Sequence, residues 1–159
     1  MSAVYSLDAS ALIYGWSEHY PIDVFPVIWR HLEEIARQDR LLIIDEVLAE
    51  ARRKDDGLAD WIEALPAGVI ALDEPIQVDV RAILASHARL LDTRKNKSGA
   101  DPFVIALARV RAATVITAEL ATNSLARPKI PDVCRAIGLE CKTLVDLFRL
   151  EGIVVGGPS

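Results

Sequence analysis

The sequence is poor in the residues that build zinc sites and disulfide frameworks. Its 159 residues include two cysteines, Cys134 and Cys141, and no CxxC pair or Cys/His cluster. The three histidines, His19, His31 and His87, stand far apart, and none has a second histidine four residues away. We therefore expect no zinc site, and we predict that the two thiols are free and mostly buried.

Long apolar runs are also absent from the sequence. None approaches the ~20 residues that a membrane-spanning helix needs, and the first residues lack the basic start and apolar core of a signal peptide. We expect a cytoplasmic protein with no membrane contact. The net charge of −5 does not suggest a protein that coats nucleic acid through bulk charge. It is compatible with an acidic site that binds divalent cations.

The chain has the composition of a globular domain, with 52% apolar and 26% charged residues. Its length fits a single domain over residues 1–159 that builds a core without disulfides. Short apolar strands are predicted at 3–7, 40–45, 114–117 and 139–143. Helical patterns are predicted at 9–16, 21–39, 46–54, 55–66, 75–92, 100–113, 130–138 and 144–152. Residues 68–73 form an edge strand or a loop, and 93–99 form a polar, basic loop. Strands alternating with helices predict an α/β fold, with helices on both faces of a parallel sheet of about four strands.

Acidic residues follow the predicted strands or lie near them. Asp8 ends the first strand, Glu46 and Glu50 lie on the helix after the second, Asp101 opens the helix before the third, and Glu119 comes just after the third. Because ligands bind beyond the carboxyl ends of parallel strands, we expect these side chains to lie close together. Carboxylates repel one another strongly in a partly dry cleft. Oxygen-ligated Mg²⁺ or Mn²⁺ would relieve that repulsion.

Each of these acids also has a structural explanation. Asp8 sits where a helix cap is common, and Asp101 precedes Pro102 as an N-cap residue often does. Glu46 and Glu50 share one face of a helix, and each taken alone would more often be a surface residue. The joint placement, rather than any single residue, favours a cation site.

Several stretches resemble the motifs of PIN-domain ribonucleases, in the order and spacing of that family and over nearly the whole chain. They are LDASALIY (7–14), VLAEARR (47–53), ADPFVIALA (100–108) and VITAE (115–119). A further stretch, RPKIPDVC (127–134), resembles a subgroup of PIN-like proteins among bacterial toxin–antitoxin pairs of the VapC type. A haloacid-dehalogenase-type phosphatase also begins with Asp after its first strand, but it needs a second Asp where this chain has Ser10.

The resemblance implies a PIN-like three-layer α/β/α fold and a Mg²⁺- or Mn²⁺-dependent endoribonuclease. It implies that Asp8, Glu50, Asp101 and Glu119 are the catalytic and metal-binding residues, with Glu46 as the alternate to Glu50. Glu119 stands where the family more often has Asp, so its longer side chain changes the geometry.

Two hydroxyl residues and a set of cations complete the predicted site. Ser10 is expected to contact Asp8 or a bound water, and Thr117 to orient Glu119; each has an ordinary structural role as its alternative. RNA phosphates would meet basic residues in the loop before Asp101 and after Glu50. These candidates for RNA contact are Arg53, Arg94, Lys95 and Lys97, together with Arg52 and Lys54 on either side of Arg53. They also fit a solvated loop and a helix C-terminus.

The family further implies the toxin of a type II toxin–antitoxin pair, a homodimer, and a cognate antitoxin that fills the cleft. The alternative is a non-catalytic PIN-like module that binds RNA or protein and has lost nuclease activity.

Overall fold

Four short strands form one sheet in the spatial order β2-β1-β3-β4, and all neighbouring strands are parallel. The computed structural model describes residues 2–90, 100–126 and 128–156. Within them the strands are β1 Tyr5–Leu7, β2 Leu41–Leu42, β3 Thr114–Ile116 and β4 Cys141–Lys142. Every residue of β1 and β2 is buried, as expected for a parallel sheet covered on both faces. The predicted α/β class, with about four parallel strands between helices, is confirmed.

Helices connect and flank the strands. In the described ranges they are α1 Ala9–Tyr14, α2 Pro26–Arg37, α3 Asp45–Lys54, α4 Leu58–Glu63, α5 Glu74–Ser86, α6 Asp101–Arg111, α7 Ile130–Ile137 and α8 Leu144–Glu151. A π-helical turn, Gly15–His19, continues α1, and a 3₁₀ turn, Ala88–Leu90, follows α5. No helix in the described part of the chain is long and apolar enough to cross a membrane.

Some element boundaries differ from the prediction for identifiable reasons. The helix predicted at 21–39 begins at Pro26, because proline lacks an amide donor and is tolerated in the first helical turn. Segment 68–73 forms one parallel bridge, between Ile70 and Ile44, rather than a full strand. The predicted loop at 93–99 lies outside the described residues.

The position of β1 in the sheet determines where a ligand site can form. Tyr5 of β1 pairs with Leu41 of β2 on one side, and Leu7 of β1 pairs with Ile116 of β3 on the other. The strand that follows β1 in the chain, β2, therefore lies on one side of it, and the next strand, β3, lies on the other side. In open α/β sheets the crevice at the carboxyl ends of such neighbours is the usual ligand site.

Three tryptophans fix the segment that follows α1. The ring of Trp29 meets Trp16 and Trp61 edge to face, with centroids 5.0 and 4.9 Å apart. The indole N–H of Trp29 donates to the carbonyl of Tyr20 at 2.7 Å. These contacts hold the π-helical turn Gly15–His19 against α2 and α4.

The amino end of the sheet carries a neutralised acid. Glu151 of α8 accepts two hydrogen bonds from the Arg40 guanidinium, at 2.7 and 2.9 Å, and a third from the Tyr5 hydroxyl. A bidentate arginine contact of this kind satisfies both carboxylate oxygens. It therefore ties the last helix to β1 and to the segment that leads into β2.

Candidate active site

Asp8 and Thr117 are neighbours at the carboxyl ends of β1 and β3. Leu7 pairs with Ile116 in the parallel register. Asp8 follows Leu7 and Thr117 follows Ile116, so Asp8 and Thr117 lie across from each other. The Asp8 N–H donates to the Ile116 carbonyl at 2.8 Å, and Thr117 Oγ1 donates to Asp8 Oδ2 at 2.8 Å. The parallel register thus joins two residues that are more than a hundred positions apart in the sequence.

Asp8 is a buried carboxylate held by two hydroxyl groups. It is 2% exposed, and Ser10 Oγ donates to the same Oδ2 atom at 2.5 Å. Burial raises the pKa of Asp8; the two hydroxyl hydrogen bonds lower it, and the nearby Glu119 carboxylate raises it. Asp8 occupies the N-cap position of α1, yet its side chain makes no N-capping hydrogen bond with that helix, all of whose residues are described. Helix capping therefore does not account for the buried acid.

A cavity of about 250 Å³ opens beside Asp8 and gathers the four acids that the sequence singles out. Residues from α1, α3, α6 and the segments after β1 and β3 surround it. They are Asp8, Ser10, Ile13, Tyr14, Glu50, Lys54, Asp101, Glu119 and Lys129. The predicted convergence of chain-distant carboxylates at one sheet edge is therefore present in the structure.

Asp101 is the first residue of α6, and Ala100 is the N-cap residue of that helix. The capping explanation for Asp101 is therefore wrong, because its position lies one residue inside the helix. Asp101 is 9% exposed. Burial, followed by repulsion from the Asp8, Glu119 and Glu50 carboxylates, raises its pKa to about 8.

Glu50 approaches the same cavity from α3. Burial and then repulsion from Asp8 raise its pKa to about 7, although a backbone hydrogen bond from Ala100 and the charge of Arg53 act in the opposite direction. Near neutral pH, these acids stand where neighbouring charge and burial both disfavour ionisation. Such clustering of perturbed carboxylates is typical of functional sites.

Two of the acids that line the cavity each bury one carboxylate oxygen. Glu50 Oε1 and Glu119 Oε1 are buried and have no hydrogen-bond partner among the residues that the structure describes. Within those residues, no three His, Cys, Asp or Glu side chains stand close enough together to hold a metal ion as they are placed here, so the acids line a shared cavity without converging on one point. Carboxylate oxygens without partners suit a hard divalent cation. The residues present therefore fit Mg²⁺ or Mn²⁺ in chemistry.

Glu46 lies one helical turn before Glu50 on α3 but is not part of the cavity lining. Its Oε2 atom is buried and has no hydrogen-bond partner in the described ranges. Of the two glutamates left open by the sequence, Glu50 is the one that reaches the acids.

The positive charge at the cavity comes from one lysine of the basic run after Glu50, Lys54, and from one lysine that the sequence did not single out, Lys129. Both lysines line the cavity, and Lys129 Nζ lies 3.3 Å from Glu119 Oε2. Arg53, from the predicted set, is close enough to Glu50 to lower the pKa of that acid. Three other predicted cations, Arg94, Lys95 and Lys97, lie outside the described residues.

Ser10 and Thr117 form one hydroxyl network behind the acids. Their oxygens are 3.2 Å apart, and Thr117 Oγ1 accepts the backbone N–H of Glu119 at 3.1 Å. Ser10 contacts Asp8 as expected. Thr117 donates to the Asp8 side chain, and it contacts Glu119, the residue it was expected to orient, through the Glu119 main-chain N–H.

Lys129 was not predicted as a site residue, although a sequence signal exists. Asp132, three residues later, accepts the Lys129 N–H at 2.8 Å and also the N–H groups of Thr122 and Asn123. An acidic side chain that reaches back to the start of its own helix is a known cap pattern. This pattern fixes the loop that brings Lys129 to the cavity.

Comparison with known proteins identifies the family of this chain and does not assign it an activity. No curated protein matches this chain. Residues 5–155, nearly the whole chain, match the family described as a domain of unknown function, DUF4411, and the chain belongs to that family.

Proposed function

We propose that this chain is a metal-dependent endoribonuclease of the PIN type, which hydrolyses RNA phosphodiester bonds with Mg²⁺ or Mn²⁺. One observation carries the proposal: four carboxylates from distant parts of the chain line one cavity, and two of their buried oxygens have no hydrogen-bond partner in the described residues. The resemblance of the four motifs to PIN-domain ribonucleases supports the same reading.

Each residue around the cavity has a role in this proposal. Asp8, Glu50, Asp101 and Glu119 would hold the cation. When bound, the ion supplies an acidified water and stabilises charge at the phosphate. Ser10 and Thr117 hold the Asp8 carboxylate in one orientation through Oδ2. Lys54 and Lys129 place positive charge where the phosphates of RNA would enter.

The test is cleavage of single-stranded RNA by purified protein with Mg²⁺ or Mn²⁺, and with EDTA. We expect metal-dependent cleavage by the wild type and none by Asp8→Asn or Asp101→Asn. The matched control is Asp23→Asn, because Asp23 is exposed and is not part of the cavity lining. Calorimetric titration with Mn²⁺ measures binding independently of turnover. Metal-independent cleavage, or equal cleavage by Asp8→Asn, would contradict the proposal.

We further propose that this ribonuclease acts as the toxin of a bacterial toxin–antitoxin pair, as a homodimer in the cytoplasm. The support is the resemblance of the RPKIPDVC stretch, which contains Lys129 and Asp132, to such proteins. Expression of the wild type should arrest growth, and Asp101→Asn should relieve the arrest. A co-expressed antitoxin that covers the acidic cavity should do the same.

A non-catalytic binding module is the second candidate, and the Lys129–Glu119 ion pair favours it. An internal ammonium 3.3 Å from the fourth acid supplies part of the charge that a metal would supply. This candidate predicts RNA binding without cleavage and no heat of Mn²⁺ binding.

A further inference from the structure

A second cavity, also about 250 Å³, adjoins the acidic one and shares Tyr14 with it. Thr117, which holds Asp8, is also part of its wall. The two cavities therefore meet at Tyr14, and Thr117 connects the lining of the second cavity to Asp8 in the first. We infer that the second cavity binds a nucleobase of single-stranded RNA beside the phosphate that is cut. This inference rests on the proposed function for its RNA substrate.

The π-helical turn after α1 creates an aromatic surface in this cavity. The Tyr20 N–H donates to the Gly15 carbonyl at 2.8 Å, five residues back, and this wider turn places Tyr14 and His19 side by side. Their rings are 6.2 Å apart at an interplanar angle of 25°. Single-turn π-helical insertions are frequent at functional sites.

The aromatic surface is accessible yet held in place. Tyr14 is 46% exposed, and it projects from a turn whose end is fixed by the hydrogen bond from Trp29 to the Tyr20 carbonyl. The Tyr20 ring packs edge to face on Phe148, with centroids 5.2 Å apart. A fixed, exposed ring is what base stacking requires, because every base offers a flat face to an aromatic side chain.

Another part of the lining comes from the start of α8. Leu144 and Val145 provide apolar contact, and Thr143 provides a hydroxyl. Thr143 Oγ1 accepts the Asp146 N–H at 3.2 Å, and a hydroxyl that accepts can still donate to the edge of a base. This part of the lining combines apolar side chains with a hydroxyl group.

The charge of the second cavity favours a base over a phosphate. Its described lining residues include no acidic side chain and neither lysine nor arginine. A neutral planar group therefore fits it, while the acids and the lysines of the adjoining cavity suit a cation and a phosphate. The juxtaposition matches the alternation of base and phosphate along one RNA strand.

The test uses neutral nucleosides, which need neither metal nor cleavage. Uridine, cytidine, adenosine and guanosine are titrated into the full chain, with ribose as the control, and ring-proton resonances of Tyr14 and His19 are followed by NMR. We expect at least one nucleoside to shift these resonances and ribose to leave them unchanged. Tyr14→Leu should weaken nucleoside binding about tenfold, and Tyr14→Phe should keep it. Leu150→Ala, at a 55% exposed position outside both cavity linings, is the matched control.

The outcomes separate this inference from the nuclease proposal. Nucleoside binding that depends on the Tyr14 ring supports the base site even if the protein cuts no RNA. RNA cleavage without any nucleoside response overturns the base site and leaves the nuclease standing. Nucleoside binding that survives in Tyr14→Leu also overturns it. If no nucleoside binds and no RNA is cut, both proposals fail.

Discussion

The ammonium of Lys129 lies 3.3 Å from Glu119 Oε2 at the edge of the acidic cavity. The contact differs from the one at the opposite end of the sheet, where Arg40 meets both oxygens of Glu151. Glu119 keeps its other oxygen buried and without a hydrogen-bond partner in the described chain. Lys129 therefore neutralises the acidic cluster only in part, and it would compete with any divalent cation for Glu119.

Replacing Lys129 with methionine should strengthen metal binding. The change keeps the length and the apolar stem of the side chain but removes a positive charge that repels an incoming cation. We expect Mn²⁺ to bind roughly fivefold tighter at low ionic strength, with a smaller gain at high salt. Isothermal titration calorimetry measures the difference.

Lys142→Met is the control for this prediction. Lys142 pairs with Glu140 at 3.9 Å and is not part of the cavity lining, so its loss should leave Mn²⁺ affinity unchanged. Weaker Mn²⁺ binding by Lys129→Met would mean that Lys129 shapes the site rather than competing for it.

Replacing Thr117 with valine should destabilise the protein. Valine has nearly the shape of threonine but lacks the hydroxyl that donates to Asp8 and accepts from the Glu119 N–H. A buried carboxylate and a backbone amide each lose a partner, which should lower the free energy of unfolding by about 1–3 kcal/mol. Urea unfolding in EDTA measures the loss. Thr117→Ser keeps the hydroxyl, so its free energy of unfolding should fall less than that of Thr117→Val. An equal fall in both variants would show that packing, rather than the hydroxyl hydrogen bonds, causes the effect.

Replacing Asp101 with asparagine should stabilise the metal-free protein above neutral pH. The native pKa of Asp101 is about 8, whereas an unfolded aspartate titrates near pH ~3.9. Between these values the native state binds more protons, so this acid lowers stability progressively as the pH rises. We expect Asp101→Asn to have a higher free energy of unfolding than the wild type at pH 8 in EDTA, by a few kcal/mol and by no more than the ~5 kcal/mol that the full shift allows.

The raised pKa of Asp101 also predicts the pH range in which Asp101→Asn is no longer more stable than the wild type. Near pH 4 the wild-type side chain is protonated in the native state, so the gain of Asp101→Asn over the wild type should disappear. Urea unfolding across this pH range is the measurement, with Asp23→Asn as the exposed control. A gain that does not depend on pH would show that the charge of Asp101 is not its cause.

The fold was accessible from the sequence because its signals are local. Buried strands such as Tyr5–Leu7 and Thr114–Ile116 stand out as apolar runs between helical patterns. α2 begins at Pro26, five residues later than the sequence predicts. The apolar spacing continues through residues 21–25, and only Pro26 marks where helical hydrogen bonding begins. The predicted strand at 40–45 is short for a different reason, since Leu41 and Leu42 alone pair with β1.

The acids of the site were predictable because parallel strands bring their carboxyl ends to one edge. Lys129 and Tyr14 were not. The capping pattern at Asp132 marks the start of a helix without showing that Lys129 lies at the cavity, and the orientation of Tyr14 depends on contacts remote from its own segment. Asp132 fixes the backbone at Lys129, and the π-helical turn that orients Tyr14 is held by Trp29 through Tyr20. Neither a side-chain-to-backbone bond nor a one-residue widening of a helix leaves a periodic pattern in the sequence.

Asp132 should make the protein sensitive to acid. It is 5% exposed. Burial works to raise its pKa, but hydrogen bonds from the N–H groups of Lys129, Thr122 and Asn123 and from the Thr122 hydroxyl outweigh burial and lower the pKa to about 2. An acid whose pKa is depressed on folding stabilises the native state above its unfolded pKa. That stability is lost as the pH falls from ~4 towards 2.

Asp132→Asn removes this charge and keeps the shape of the side chain. At pH 7 the variant should be less stable than the wild type by about 2–3 kcal/mol, because a depression of roughly two pKa units corresponds to that free energy. The difference should become small near pH 2, where the wild-type side chain is about half protonated. Asp146→Asn is the control. Asp146 is more exposed than Asp132, and it accepts the N–H of Thr143 at 3.0 Å, three residues before it in the same segment. Asp146→Asn should therefore lose less stability than Asp132→Asn. Urea unfolding at each pH measures the difference in the free energy of unfolding. If Asp132→Asn is less stable than the wild type by the same amount from pH 7 to pH 2, the shape of the side chain, rather than its charge, holds the loop that carries Lys129.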